Sequence, residues 1–263
     1  MSDRDPIQIS EHELVVMTTD LDDMHHDSMP KMYESVAEWA EMGKSRIGAK
    51  TATRRGFLTG SGLAIGGLIL AACSSSKKSG SSSTTAPGVT TTGGGTNSDL
   101  QIAALATSLE NLAIATYQAG INAATAGKLG KVPPAVVTFA QTAQKQHKDH
   151  AAAWNAILSS AGKPTVTGVD MTVKTAVIDP AFAKVSDVAG LAMLALQLEE
   201  VAAATYLESI ALIKSPGGIA TSASIHPVEL QHAAILNFVL GQYPVPRSFS
   251  TTDGARGLTD KIG

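Results

Sequence analysis

Leu109-Glu110-Asn111-Leu112-Ala113-Ile114-Ala115-Thr116-Tyr117 returns later in the chain as Leu198-Glu199-Glu200-Val201-Ala202-Ala203-Ala204-Thr205-Tyr206. Each copy is followed by a segment centred on histidine. The first is His147-Lys148-Asp149-His150-Ala151-Ala152-Ala153-Trp154-Asn155, the second Glu229-Leu230-Gln231-His232-Ala233-Ala234-Ile235-Leu236-Asn237. A repeat of this length signals two copies of one supersecondary unit packed together. Here the unit is a helix pair, with a carboxylate on one helix and a histidine on the other.

The surrounding sequence supports helices. Alanine is abundant and aromatics make up only 4% of the chain, and alanine costs least to place in a helix. Apolar positions Ile102, Leu105, Leu109, Leu112, Thr116 and Ala119 follow helical spacing from Asp99 to Ala126. Asn97 or Ser98 is available as a cap and Gly127 as a stop. Pro133-Pro134 opens a second helix. Its inward face carries Val136, Ala140, Ala143, His147, His150, Trp154 and Ile157, and Ala161-Gly162-Lys163-Pro164 ends it. Residues from Thr165 to about Ala181 lack a period and exceed an ordinary loop, so they read as a crossover. The third helix spans about Ala183 to Ile213, and Ser215-Pro216-Gly217-Gly218 breaks it. The fourth spans about Ile219 to Leu240. Pro227 either kinks it or marks its start.

Glu110, His147, His150, Glu199, Glu229 and His232 all fall on inward faces. Ionisable groups are rarely buried unless paired or bound to metal. Di-metal carboxylate bundles take one Glu from each of two helices and Glu-x-x-His from each of the other two. The chain resembles that ferritin-like family, most closely the small bacterial ferritin-like domain proteins. The resemblance implies an all-α, up-down four-helix bundle with a long crossover between helices 2 and 3. It matches Glu110 and Glu199 to the single carboxylates, Glu229 and His232 to one Glu-x-x-His, and His150 to the second His. His147 stands where the family has its other Glu. A register pairing Gln144 with His147 would break the alignment of Asn155 with Asn237. Tyr117 and Tyr206 are expected to pack in the core with their hydroxyls on ligand carboxylates. Glu200 should lie on a flank and His226 at the surface.

Such a centre suits Fe or Mn, one or two ions, since both accept imidazole with carboxylate. The resemblance implies iron oxidation, peroxide handling or O₂ chemistry, with any reductant external, as no Cys-x-x-Cys is present. The other reading is a non-enzymatic envelope scaffold with a polar, metal-free core. The net charge of −3 gives no reason to expect nucleic acid.

The first 72 residues read as a leader plus signal. Residues 1–50 are polar. His25-His26 with Asp20, Asp22, Asp23 and Asp27 suggests a metal tract, but the composition favours a disordered cytoplasmic leader, with at most a brief helix over Ser35–Met42. Met29, Met32 and Met42 also allow a downstream start. Arg54-Arg55-Gly56-Phe57-Leu58 resembles a twin-arginine signal. The short apolar run that follows ends Leu70-Ala71-Ala72-Cys73, which resembles a lipobox with the only cysteine at the cut. Residues 73–97 then read as a Ser/Thr/Gly tether, 98–242 as the bundle, and 243–263 as a tail that is extended along the bundle or disordered. The expectation is export by the twin-arginine machinery. Lipid on Cys73 would then anchor the chain to the outer face of the cytoplasmic membrane.

Overall fold

A computed structural model describes residues 9–48 and 95–257. Arg54, Arg55, Cys73 and most of the expected tether lie outside the described residues. The described chain is helical, with no strand among its residues. Its helices are α1 (Glu11–Gly48), α2 (Gly95–Thr125), α3 (Pro134–Ser160), α4 (Met171–Val173), α5 (Asp179–Phe182), α6 (Val188–Leu212) and α7 (Pro216–Val239). A π-helical turn, Lys174–Ile178, joins α4 to α5.

The bundle is α2, α3, α6 and α7. Helices α2 and α3 pack as one antiparallel pair, α6 and α7 as the other, and α2 meets α6 between the pairs. The chain between α3 and α6 is the long crossover. Its short helical pieces were not legible as a period because each is a turn or two. The crossover is tied down at two points. The Asn155 side chain accepts from the Val166 amide at 2.7 Å and donates to the Val166 carbonyl at 3.1 Å. Asp170 caps α4 through the Val173 amide at 2.7 Å and accepts from Arg256 Nε at 3.1 Å. That last contact places the described part of the tail along the bundle.

Helix ends follow local chemistry. Pro133 precedes α3 in extended conformation, and Pro134 occupies the first turn, where no amide partner is lost. Gly162 and Gly241 take φ of 69° and 72° just past α3 and α7, a region open to glycine at little cost. Helix α2 begins at Gly95, inside the expected tether, so Asn97 and Ser98 are not its cap. Asp99 instead accepts from the Lys214 and Ser215 amides at 3.1 and 2.9 Å, fixing the entry to α7. Helix α7 starts at Pro216 and runs unbroken through Pro227. Packing on both sides outweighs one lost backbone bond.

The largest correction concerns the leader. The expected disordered segment, with a brief helix over Ser35–Met42, is instead α1, which lies along α3 and α7 as a fifth helix. Leu14, Leu21, Met32, Val36 and Trp39 are all buried at steps that sum threes and fours. Asp20, Asp22, Asp23 and Asp27 occupy the other faces and give the segment its polar composition. The contact is close. A Cβ on Gly217 would stand 2.6 Å from the Ser35 carbonyl oxygen and 2.8 Å from Trp39 Cβ. Two adjacent glycines, read as a breaker, therefore form the notch that seats Trp39, which meets Trp154 edge-on at 6.3 Å between ring centroids.

Candidate metal centre

The repeat places its ionisable groups at one level of the bundle. Glu110 comes from α2, His147 and His150 from α3, Glu199 from α6, and Glu229 and His232 from α7. All six are at most 3% exposed. They form two overlapping groups of four: Glu110, His147, His150 and Glu229, and His147, Glu199, Glu229 and His232. Within each group the ligand-type atoms lie within 4.8 Å of one another.

The shared members are the two repeat-equivalent residues, and each offers one atom to each group. Glu229 Oε1 lies 3.1 Å from His150 Nδ1, and Oε2 lies 3.4 Å from His232 Nδ1. His147 Nδ1 lies 2.7 Å from Glu110 Oε2, and Nε2 lies 3.2 Å from Glu199 Oε1. Two half-centres thus meet across a Glu–His seam. This separation into halves follows from helix spacing, since His147/His150 and Glu229/His232 are each one turn apart on one face.

The tyrosines exchange between the repeats. Tyr117 donates to Glu199 Oε1 at 2.5 Å, and Tyr206 donates to Glu110 Oε1. Each tyrosine therefore orients the carboxylate of the other copy. The Trp154 indole N–H in turn donates to the Tyr206 hydroxyl at 2.9 Å. Burial, with the neighbouring carboxylate charge, raises both phenols well above their ordinary range, so they stay protonated donors.

The electrostatics are those of a mutually neutralising cluster. Burial works against every charge here, but opposite charges at contact distance prevail. Glu110 is held down to about 2 by His150 and His147 against the effect of burial. Glu199 is held well below the carboxylate range by His147 and His232. Against their own burial, His147 is raised well above its ordinary value, His232 is raised, and His150 is raised to about 9. Three carboxylates face three imidazoles that favour the protonated form.

The donor set fits a metal. Both oxygens of Glu229 and Nδ1 of His150 are buried without a properly directed hydrogen bond. Buried polar atoms are rarely left so. Imidazole nitrogen and carboxylate oxygen together suit Fe, Mn or Zn. A cavity of about 20 Å³ borders Glu110, His147 and Tyr206, room for about one water.

Other expectations find their places. Gln144 turns away to the Ile114 carbonyl and Gln118, so the register that paired it with His147 would draw on a residue outside the centre. Glu200 is an exposed flank residue beside Arg247. His226, expected at the surface, is half-buried with a ring nitrogen 2.9 Å from the Ala203 carbonyl oxygen. Two residues near the centre were not expected there: Gln146 carried no signal, and His25 was read only in a metal tract of the leader. Gln146 is fully buried, and its Oε1 lies 2.8 Å from His232 Nε2. His25, from α1, stacks at a tilt on His150 with ring centroids 5.3 Å apart. Gln146 sits one residue before a ligand-type histidine, and only the presence of α1 makes that flank an interior.

No curated protein and no solved structure matches the chain. Residues 98–242, more than half of the 263, match the ferritin-like domain, and the match ends where the bundle ends. With the helix order, the crossover and the duplicated carboxylate–histidine halves already in place, that match shows that the chain belongs to the ferritin-like domain family.

Proposed function

We propose that the bundle holds one or two ions of the Fe or Mn type and serves oxidative chemistry at the cell envelope, on an exported, lipid-anchored chain. The supporting observation is the pair of overlapping four-residue groups, with Glu229 presenting one oxygen to each. Glu110 and His150 would hold one ion, Glu199 and His232 the other, with Glu229 between them. A bound redox metal supplies electron transfer to or from oxygen or peroxide. The protein's own contribution is orientation by Tyr117 and Tyr206, exclusion of bulk water, and a buried site of low dielectric constant. No thiol pair in the chain can recycle the metal, so the reductant is external.

His147 sets the stoichiometry. Four carboxylates would balance two divalent ions, whereas three leave a net positive charge in a buried site. A neutral imidazole also offers one lone pair where a carboxylate offers two oxygens. Titration of the native protein should show one tight ion and a weaker second, or a pair completed by an exogenous anion. His147→Glu should bind two ions of similar affinity. Two equally tight ions in both proteins would refute the charge argument. Sub-stoichiometric metal after purification without chelator, with no rise in melting temperature on adding Fe²⁺ or Mn²⁺, would favour the scaffold reading. In that reading the imidazolium–carboxylate pairs are the finished core.

Export and anchoring rest on Arg54-Arg55 and on Cys73 at the end of the apolar run. Cys73→Ala should leave the chain unprocessed or release it from the membrane fraction, since several acyl chains together are needed for firm anchoring. Mass spectrometry that finds an unmodified Cys73 inside an intact native chain would remove this part of the proposal.

A further inference from the structure

His25 is 3% exposed, yet neither of its ring nitrogens has a hydrogen-bond partner. A buried polar group left unpaired bears its full desolvation cost, so its position needs a reason. The reason lies in the comparison of the two halves of the centre. His232 directs Nδ1 to Glu199 and Glu229, and its other nitrogen, Nε2, is held by Gln146 Oε1 at 2.8 Å. His150, its repeat equivalent, directs Nδ1 to Glu229 and Glu110 at 3.1 and 3.6 Å. Among the described residues no Gln hydrogen-bonds to His150. The aromatic neighbours of its ring are His147, on its own helix, and His25 of α1. His147 is spent on Glu110 and Glu199, which among the described residues leaves His25 as the imidazole beside His150 with unpaired nitrogens.

Metal-ligating histidines almost always donate their second ring N–H to a partner that fixes tautomer and ring orientation. We propose that His25 is a positioning residue of the metal centre, supplied by α1, whose ring nitrogen accepts the Nε2 proton of His150 and so presents Nδ1 to the metal. It plays for His150 the part that Gln146 plays for His232. The inference rests on the metal reading for its consequence but not for the contact itself. The two rings are neighbours, with centroids 5.3 Å apart and planes tilted by 54°, and the bond forms when His25 turns a ring nitrogen, now unpaired, toward His150 Nε2. The helix that carries His25 is locked by Trp39 in the Gly217 notch and by buried Leu14 and Leu21, so the residue is delivered to one place.

The test uses the full chain in three versions: native, His25→Phe, which keeps a ring without an acceptor, and His25→Gln, which restores an acceptor of the kind Gln146 provides. Co²⁺ titration followed by its visible spectrum should show one half-centre weakened by about tenfold in His25→Phe, the other unchanged, and most of the loss recovered in His25→Gln. Long-range ¹H–¹⁵N spectra of the metal-free proteins should show the His150 imidazole nitrogens shifted in His25→Phe while those of His232 stay in place. Should His25→Phe fail to fold, His25→Ala takes its place against His25→Gln. Native Co²⁺ affinity in His25→Phe together with an unmoved His150 signal would overturn the proposal, as would a His25→Gln no better than His25→Phe. If the native chain binds no Co²⁺, the metal reading fails by itself, and the nitrogen shifts still decide whether His25 positions His150.

Discussion

Replacement of Glu229 by Gln should weaken metal binding at both halves of the proposed centre at once. Each half-centre takes a different oxygen of this carboxylate, 3.1 Å from His150 and 3.4 Å from His232. Gln offers one neutral carbonyl oxygen, and its NH₂ group is no ligand, so one half loses its oxygen outright and the other keeps only an uncharged donor. The expected loss of affinity is on the order of a hundredfold or more at each half, above the range seen when only an outer partner of a ligand is removed. Glu199→Gln should act on one half alone. Parallel Mn²⁺ or Co²⁺ titrations of the two variants make the comparison. A Glu229→Gln protein that still holds one ion with native affinity would show that the halves do not share this residue. Thermal melts should accompany the titrations, because removing one charge of a buried set leaves an imidazolium without its partner.

Metal uptake should rise steeply with pH and release protons. The metal-free cluster keeps its imidazoles protonated, with His150 raised to about 9 and His147 and His232 also raised. A metal needs those nitrogens neutral. For every imidazolium proton displaced, apparent affinity gains about tenfold per pH unit below the folded-state pKa. More than one proton is displaced, so the gain between pH 6.5 and about 9 should exceed tenfold per unit. The stability of the metal-free chain runs the other way. His150, raised above its ordinary 6.5, contributes fully below pH 6.5, and that contribution disappears as pH climbs through about 9. Glu110, lowered from 4.5, contributes above 4.5, and its share is lost as pH falls through about 2. Calorimetric titration in buffers of different ionisation enthalpy counts the protons directly. An affinity that does not change from pH 6.5 to 8.5 would mean that the imidazoles are already neutral.

The bundle and its centre were legible because duplication repeats the same short pattern. One Glu on an apolar face is ambiguous, but Glu110 and Glu199 recur with a tyrosine two turns on. His150 and His232 likewise recur with an asparagine five residues on. Burial of charge then requires convergence. What could not be read depended on a partner surface. Among the described side chains of α1 the buried ones are Leu14, Thr18, Leu21, His25, Met32, Val36 and Trp39, spread so thinly among Asp, Glu and a mid-helix Pro30 that composition suggests disorder. Only the groove between α3 and α7 makes that sparse stripe sufficient. Gln146 was hidden for the same reason, since it faces a wall contributed by the segment taken for a leader.

The position of α1 in the chain gives this wall an unusual standing. It precedes the proposed cut before Cys73, while the helices it covers follow that cut. In the uncut chain, α1 and the bundle belong to one molecule, so their contact is intramolecular. Cleavage would turn the same contact into an ordinary bimolecular complex governed by mass action. Retention of α1 would then depend on its dissociation constant and on dilution outside the cell. The Trp39 notch, His25 and the α3–α7 groove would thus be complete at the moment of loading and conditional afterwards. A single peptide bond would decide whether the centre has five walls or four.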